Sequence, residues 1–250
     1  MRRLLDAIRR TLRRRPRPAA PAITVTELVA RLEEIAATTV PGDGLADFNR
    51  MYLSVTRAVR QRTVDGGFRD RRFMEHLTGT FGGLYLDAVR TADEGTNRAW
   101  APLFETQRAG RLSIQYALAG MNAHINYDLP IAVVRTCRAL GTRPTPAVAA
   151  DYRAITDLLA EQQEAVRRSF LDGLALEADR RLTGPVADLV GSWSIARARD
   201  AAWTHALVLH ELDGVDPLER EFLATLGRSV GMAGRMLLAP LDDRRALPTG

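Results

Sequence analysis

Residues 117–134 read ALAGMNAHINYDLPIAVV, an apolar stretch of helix-forming residues with a polar cluster at its centre. Four polar side chains occupy alternate positions of this polar cluster: Asn122, His124, Asn126 and Asp128. Burial of polar groups among apolar neighbours is unfavourable unless each group finds a partner. The stretch therefore predicts a core helix that also carries the best candidate site of the chain.

Pro130 predicts an interruption of this helix inside the polar cluster. Proline donates no backbone hydrogen bond and biases the preceding Leu129 away from helical dihedral angles. We therefore expect the helix to end or kink between residues 126 and 129, and Asp128 to cap a second helix that begins at Pro130. A helix that continued through the cluster would instead place His124 and Asp128 on one face, where the carboxylate could orient the imidazole.

The rest of the chain also predicts helices, because apolar residues recur at helical spacing from residue 23 onward. Candidate helix starts follow from capping residues and from prolines in the first turn: Thr24-x-x-Glu27, Asp70, Thr145-Pro146, Ser194 and Asp216-Pro217. Gly227, Gly231 and Gly234 leave a bare stripe on the last helix, which would let a neighbouring backbone approach closely. The sequence predicts an all-α fold, a single orthogonal or bundle-like domain of about eight to ten helices over residues 23–240.

The first 22 residues form a basic tail that differs from the rest of the chain. Eight arginines and one aspartate give this tail a charge of +7, which leaves −2 for the other residues out of the net +5. We therefore expect no specific nucleic-acid binding by the helical domain. The tail has leucines and an isoleucine on one helical face and ends in a proline-rich linker, so it is either an amphipathic helix for an anionic membrane surface or a solvated extension. Residues 241–250 form a second, C-terminal tail.

Composition is ordinary for a soluble globular protein, with 46% hydrophobic and 26% charged residues. No run of 18 apolar residues occurs, so no transmembrane helix is expected. Cys137 is the only cysteine, which excludes an intrachain disulfide and fits a reducing compartment. We expect a cytoplasmic protein for which the basic tail offers a route to peripheral membrane attachment.

A divalent metal is a candidate cofactor, because histidines from several helices could join a carboxylate as ligands. The candidate ligands are His124, Asp128, His205 and His76. No H-E-x-x-H or E-x-x-H pattern accompanies them, so the spacing alone does not indicate a metal. The chain also lacks the G-x-S-x-G nucleophile pattern and the glycine-rich patterns of nucleotide-binding folds, and no cofactor follows from a motif.

Four segments resemble a bacterial, largely actinobacterial family that is known only as a domain of unknown function, DUF5995. These four segments are FNRMYLSVT at 48–56, RRFMEHL with the following F and YLDA over 71–88, ALAGMNAHINYDLPIAVV at 117–134, and ARDAAW at 198–203. The resemblance spans about residues 25–240 and leaves out the basic tail. It implies neither an activity nor catalytic residues, but it implies that the polar cluster is the signature segment of the family.

Two functions are compatible with these observations. The first is an enzyme of the secondary-metabolite tailoring or hydrolase kind that acts on a small molecule. In that case His124 would be a general acid/base or a metal ligand, Asp128 would orient it, and Asn122 and Asn126 would position a substrate oxygen. The alternative is a non-catalytic helical module that binds a ligand or a partner, with the polar cluster as internal scaffolding. The sequence carries no signal for the substrate or the oligomeric state.

Overall fold

The fold consists of helices throughout the part of the chain that the computed structural model describes, namely residues 22–40, 42–95, 97–155, 159 and 194–240. Eight α-helices lie wholly within these residues: α1 Val25–Thr38, α2 Gly44–Val64, α3 Arg71–Arg90, α4 Ala101–Thr106, α5 Ser113–Ala123, α6 Leu129–Ala139, α7 Ile195–Leu212 and α8 Asp216–Leu237. Residues 146–155 are helical as well, and no strand occurs among the described residues. The predicted all-α single domain is therefore confirmed.

Local capping residues begin three of these helices, as the sequence predicts. The Thr24 hydroxyl accepts a hydrogen bond from the Glu27 backbone N–H at 3.1 Å, and the Glu27 carboxylate accepts one from the Thr24 backbone N–H at 2.8 Å. The Asp70 side chain accepts from the N–H of Phe73 at the start of α3, and the Ser194 hydroxyl accepts from the N–H of Arg197 at the start of α7. Each cap satisfies N–H groups that the first helical turn leaves without an intrahelical partner.

The centre of the fold is a helix that runs without a break from residue 113 to residue 139, because a π-helical turn, His124–Asp128, joins α5 to α6. The helices α2 and α8 pack against its first half, and α3 and α7 pack against its second half. Every residue from Ile114 to Ala123 is buried. A helix that is buried all round is a core helix, and the polar cluster lies at its midpoint.

The prediction that this helix ends between residues 126 and 129 is wrong, and so is the prediction that Asp128 caps a second helix; the interruption in this region is a π turn, His124–Asp128. Leu129 keeps helical angles, φ −63° and ψ −43°, and its N–H bonds to the carbonyl of His124 five residues back. The Asp128 side chain makes no capping hydrogen bond. The π turn changes the register, so that Pro130 falls in the first turn of α6, where a missing N–H is tolerated.

Glycines allow two close approaches, one of Phe48 to the central helix and one of the Arg98 backbone to α8. A Cβ atom on Gly120 would lie 2.2 Å from the ring of Phe48, so the missing side chain lets α2 place that ring directly against α5. A Cβ atom on Gly231 would lie 2.3 Å from the backbone carbonyl oxygen of Arg98. The close backbone approach predicted from the glycine stripe of α8 is therefore confirmed.

Three sequence predictions fall outside the described residues. These are the basic tail apart from Ala22, the C-terminal tail 241–250, and the continuation of the helix that starts at Pro146 beyond residue 159. They stay predictions, as does peripheral membrane attachment through the tail. Within the described part of the chain, no helix is both long enough and apolar enough to cross a membrane.

Candidate functional site

The candidate site is built around a buried histidine–aspartate pair on the central helix. His124 Nδ1 lies 2.9 Å from Asp128 Oδ2, and Trp100 donates its indole N–H to the same oxygen at 2.9 Å. Both members of the pair are at most 2% exposed. The spacing of four residues places them on one face, as predicted for a continuous helix, and Trp100 reaches them from the turn before α4.

Aromatic rings enclose the imidazole of His124. The ring of Phe81 stacks flat on it, with 3.5 Å between the ring centroids and 8° between the planes. Tyr52 approaches edge-on at 4.6 Å, and the next rings are those of Phe48, Tyr85 and Trp100. This arrangement removes His124 from water and fixes the plane of its ring.

The two nitrogens of His124 differ in their surroundings, and this difference assigns the tautomer. With Asp128 ionised, Oδ2 has no proton to donate and accepts from both Trp100 and His124, which puts the proton between the pair on Nδ1. The Nε2 atom is buried and has no hydrogen-bond partner among the described residues. An N–H at that position would be unpaired, so we assign the neutral ring with a free lone pair on Nε2.

Burial sets the protonation of both groups. Desolvation lowers the pKa of His124 below its ordinary value, and the hydrogen bond and negative charge of Asp128 oppose this only in part. Burial also raises the pKa of Asp128, against the opposing effects of His124 and Trp100. The site therefore holds a neutral imidazole at neutral pH.

A pH titration followed by NMR should find the His124 imidazole still neutral, with its proton on Nδ1, at pH values below 6.5. Because the folded pKa is lower than the unfolded value of 6.5, the contribution of His124 to stability is present above that value and is lost as the pH falls towards the folded pKa. ¹⁵N chemical shifts of the imidazole nitrogens, assigned by comparison with His124→Gln, measure this directly. A transition centred at or above pH 6.5 would contradict the assignment.

An apolar chamber of about 70 Å³ lies beside the imidazole. Its described lining is aromatic and aliphatic apart from His124 and one arginine: Phe48, Met51, Tyr52, Val55, Phe81, Met121, His124, Ile125, Leu159, Ile195 and Arg199. A second cavity, of about 50 Å³, shares Tyr52, Phe81 and Arg199 with it. Since Nδ1 is turned towards Asp128, ring geometry directs Nε2 to the opposite side, away from that carboxylate.

Arg199 brings a positive charge to this apolar lining. It is 3% exposed, and its guanidinium lies 4.2 Å from the ring centroid of Tyr152. Two reciprocal bonds of 2.7 Å hold the pair: Arg199 Nη2 donates to the Tyr152 carbonyl, and the Tyr152 hydroxyl donates to the Arg199 carbonyl. These contacts fix the arginine at the edge of the chamber.

Asn122 and Asn126 belong to a different part of the structure. Asn122 Nδ2 donates to the carbonyl of Val230 on α8 at 2.9 Å, and its Oδ1 accepts from Asn126 Nδ2 at 3.1 Å. Asn122 therefore ties the central helix to α8, and Asn126 donates to the Asn122 amide within the central helix. The structure does not join these amides by a hydrogen bond to His124 or Asp128, since residues two apart on a helix point in different directions.

The four candidate metal ligands are also not brought together. Across the described ranges, no group of three or more His, Cys, Asp or Glu side chains is arranged to hold a metal ion. His76 lies 3.2 Å from the hydroxyl of Thr80 on its own helix and 3.4 Å from that of Thr136, whereas His205 packs near Phe222. Of the predicted set, only His124 and Asp128 are neighbours.

Sequence reasoning missed Trp100, Phe81 and Arg199, the residues that complete the site from other elements. The only signal for Phe81 and Arg199 lay in the resemblance, and Trp100 lies outside the four segments that carry it. Each of the four segments contributes to the lining of the chamber. The first contributes Phe48 and Tyr52, the second Phe81, the third His124 and the fourth Arg199.

Comparison with known proteins gives a family and no function. No curated protein and no solved structure matches the chain. The model of a family of unknown function, DUF5995, matches residues 25–240, which is most of the chain and includes the whole site. The chain therefore belongs to the family of unknown function DUF5995.

Proposed function

We propose that the protein is an enzyme that acts on a small molecule by proton transfer, with His124 as the general base. The observation that carries this proposal is the buried, unpartnered Nε2 of a ring whose other nitrogen is held by Asp128 at 2.9 Å. A base whose orientation is fixed by a carboxylate, beside a cavity, is the usual arrangement for acid–base catalysis. Asp128 and Trp100 are positioning residues in this scheme.

The chamber supports a small, largely apolar substrate. Its volume of about 70 Å³ accommodates only a few atoms, so the reacting end of a molecule would enter it. Arg199 at its edge would stabilise negative charge that develops when a proton leaves such a substrate. The convergence of all four family-like segments on this chamber further supports a function located there.

Of the two reaction kinds considered, tailoring chemistry is favoured over hydrolysis by a side-chain nucleophile. The described lining of the chamber contains no serine, threonine or cysteine that Nε2 could activate. Cys137, the only cysteine, is buried, and desolvation raises the pKa of its thiol to about 11, so it is not a reactive thiolate. Isomerisation, elimination or enolisation of an activated C–H compound needs only the base and the positive charge.

Deuterium exchange tests this proposal without knowledge of the natural substrate. Small ketones, aldehydes and esters with acidic C–H bonds are incubated with the protein in D₂O, and deuterium uptake is followed by NMR. We expect catalysed exchange of at least one compound, and a decrease of about 100-fold or more in His124→Gln, as for loss of a general base. His205→Gln, a half-buried histidine that does not line the chamber, should retain the wild-type rate.

A non-catalytic helical module remains the second candidate, with the pair as scaffolding. The flat stacking of Phe81 on the imidazole and the small volume of the chamber favour it. It predicts that no compound exchanges faster with wild-type protein than with a folded His124→Gln variant. That result would reject the general base and leave a structural role for the pair.

A further inference from the structure

We infer that the protein has a second ligand site, an open cleft that binds a small organic acid with an apolar body. The cleft has a volume of about 440 Å³, within the range typical of small-molecule sites. Residues of α3, α6, α7 and α8 line it, and Asp128 lines this cleft but not the chamber. This site is independent of proton transfer by His124 and goes beyond the proposed function.

Apolar side chains form much of the cleft surface, and charged groups lie among them. The apolar part consists of Leu84, Ala88, Ile131, Val134, Leu209 and Leu223. The polar part comes from Tyr127 and Asp128 on the π turn, two arginines of α6, and Asn97, Asp87, Thr91 and Glu219. A hydrocarbon body could therefore be buried while its charged end meets the polar part.

Arg135 has no counterion within ion-pair distance in the described part of the chain, although its charge acts on the nearby carboxyl groups of Asp128 and Glu219. Asp87 is paired with Arg90 at 2.8 Å, and Arg138 is paired through Nη2 with Asp213. Burial raises the pKa of Glu219, which works against its negative charge. Arg135 is exposed at the cleft and makes neither an ion pair nor a hydrogen bond with any residue that the structure describes.

Arg138 adds an N–H donor that has no acceptor among the described residues. Its Nε–H is buried and has no hydrogen-bond partner in the described part of the chain, although its Nη2 is paired with Asp213. A guanidinium stays charged at any physiological pH and presents its N–H groups in a geometry that matches a carboxylate. Two arginines on successive turns of α6, one unpaired and one with a buried unpaired N–H, therefore favour a carboxylate as the charged end.

Calorimetric titration of the full-length protein tests this inference with defined probes. Benzoate, phenylacetate and 3-phenylpropionate are each compared with the corresponding primary amide, and inorganic phosphate is titrated separately. We expect at least one acid to bind with a Kd of about 1 mM or tighter, and its amide to bind about tenfold more weakly. Arg135→Gln should weaken binding of the acid to the level of the amide.

Arg228→Gln is the matched control, because Arg228 is an exposed arginine of α8 that pairs with Glu221 away from the cleft. Its affinity for the acid should equal that of wild type. Equal binding of acid and amide, unchanged affinity in Arg135→Gln, or no binding by any acid would overturn the inference. Phosphate binding without acid binding would overturn it too. None of these outcomes bears on deuterium exchange, so the two proposals can fail separately.

Discussion

Replacement of Asp128 by alanine is expected to lower the free energy of unfolding by about 2–6 kcal/mol, because two buried N–H donors lose their acceptor. The carboxylate of Asp128, a residue that is 1% exposed, accepts the N–H groups of His124 and Trp100. Each buried donor left without an acceptor costs about 1–3 kcal/mol. Loss of a simple helix cap would cost only about 0.5–2 kcal/mol. Guanidinium unfolding followed by tryptophan fluorescence measures the difference.

Two further variants test whether the loss of stability is specific to the buried acceptor Asp128 or would follow from the removal of any aspartate. Asp87→Ala removes an exposed aspartate that pairs with Arg90 three residues later, and a change of about 0–1 kcal/mol is expected there. Trp100→Phe combined with Asp128→Ala removes one of the two N–H donors that Asp128→Ala leaves without an acceptor. The double variant should therefore lose less stability than the two single variants lose in sum. Additive losses, or a loss below about 1 kcal/mol for Asp128→Ala, would show that the shared acceptor has little energetic importance.

Local chemistry allowed much of the fold to be predicted. Thr24, Asp70 and Ser194 cap the helices that follow them because a side-chain oxygen three positions before a free N–H needs no tertiary contact to act. The prediction that the helix ends before Pro130 is wrong because it, too, considers only a local effect. The steric effect of Pro130 is local, but the burial of α5 and α6 among four other helices outweighs it, and one π turn accommodates the ring.

Only the part of the site that is formed by residues close together in the sequence could be predicted. The spacing of His124 and Asp128 follows from helical periodicity, and their hydrogen bond agrees with it. The third partner, Trp100, is 28 residues from Asp128, and the direction of its indole depends on the packing of α4 against the rest of the fold. Helical periodicity does not predict contacts between residues that are far apart in the sequence. Helical periodicity also could not predict that Asn122 bonds to α8, since its acceptor, the Val230 carbonyl, lies 108 residues further along the chain.

The substitution Gly231→Ala should destabilise the protein, although alanine is the better helix former. In an exposed helix this change would add about 0.5–1 kcal/mol of stability. Here the new Cβ would lie 2.3 Å from the backbone oxygen of Arg98, and a backbone atom cannot rotate away as a side chain can. Overpacking of this kind costs about 1–3 kcal/mol, so we expect a net loss of about 1–2 kcal/mol in guanidinium unfolding.

Gly83→Ala provides the matched control for this prediction. Gly83 lies inside α3, and an added Cβ there meets no atom within 4 Å. This variant should gain about 0.5–1 kcal/mol, so the two substitutions have opposite signs. Because Val230 accepts the hydrogen bond of Asn122, a shift of α8 in Gly231→Ala should also weaken the link between α8 and the polar cluster. A gain of stability in both variants would mean that α8 can move away from Arg98 at no cost, and that the glycine stripe does not determine how closely α8 packs beside the candidate site.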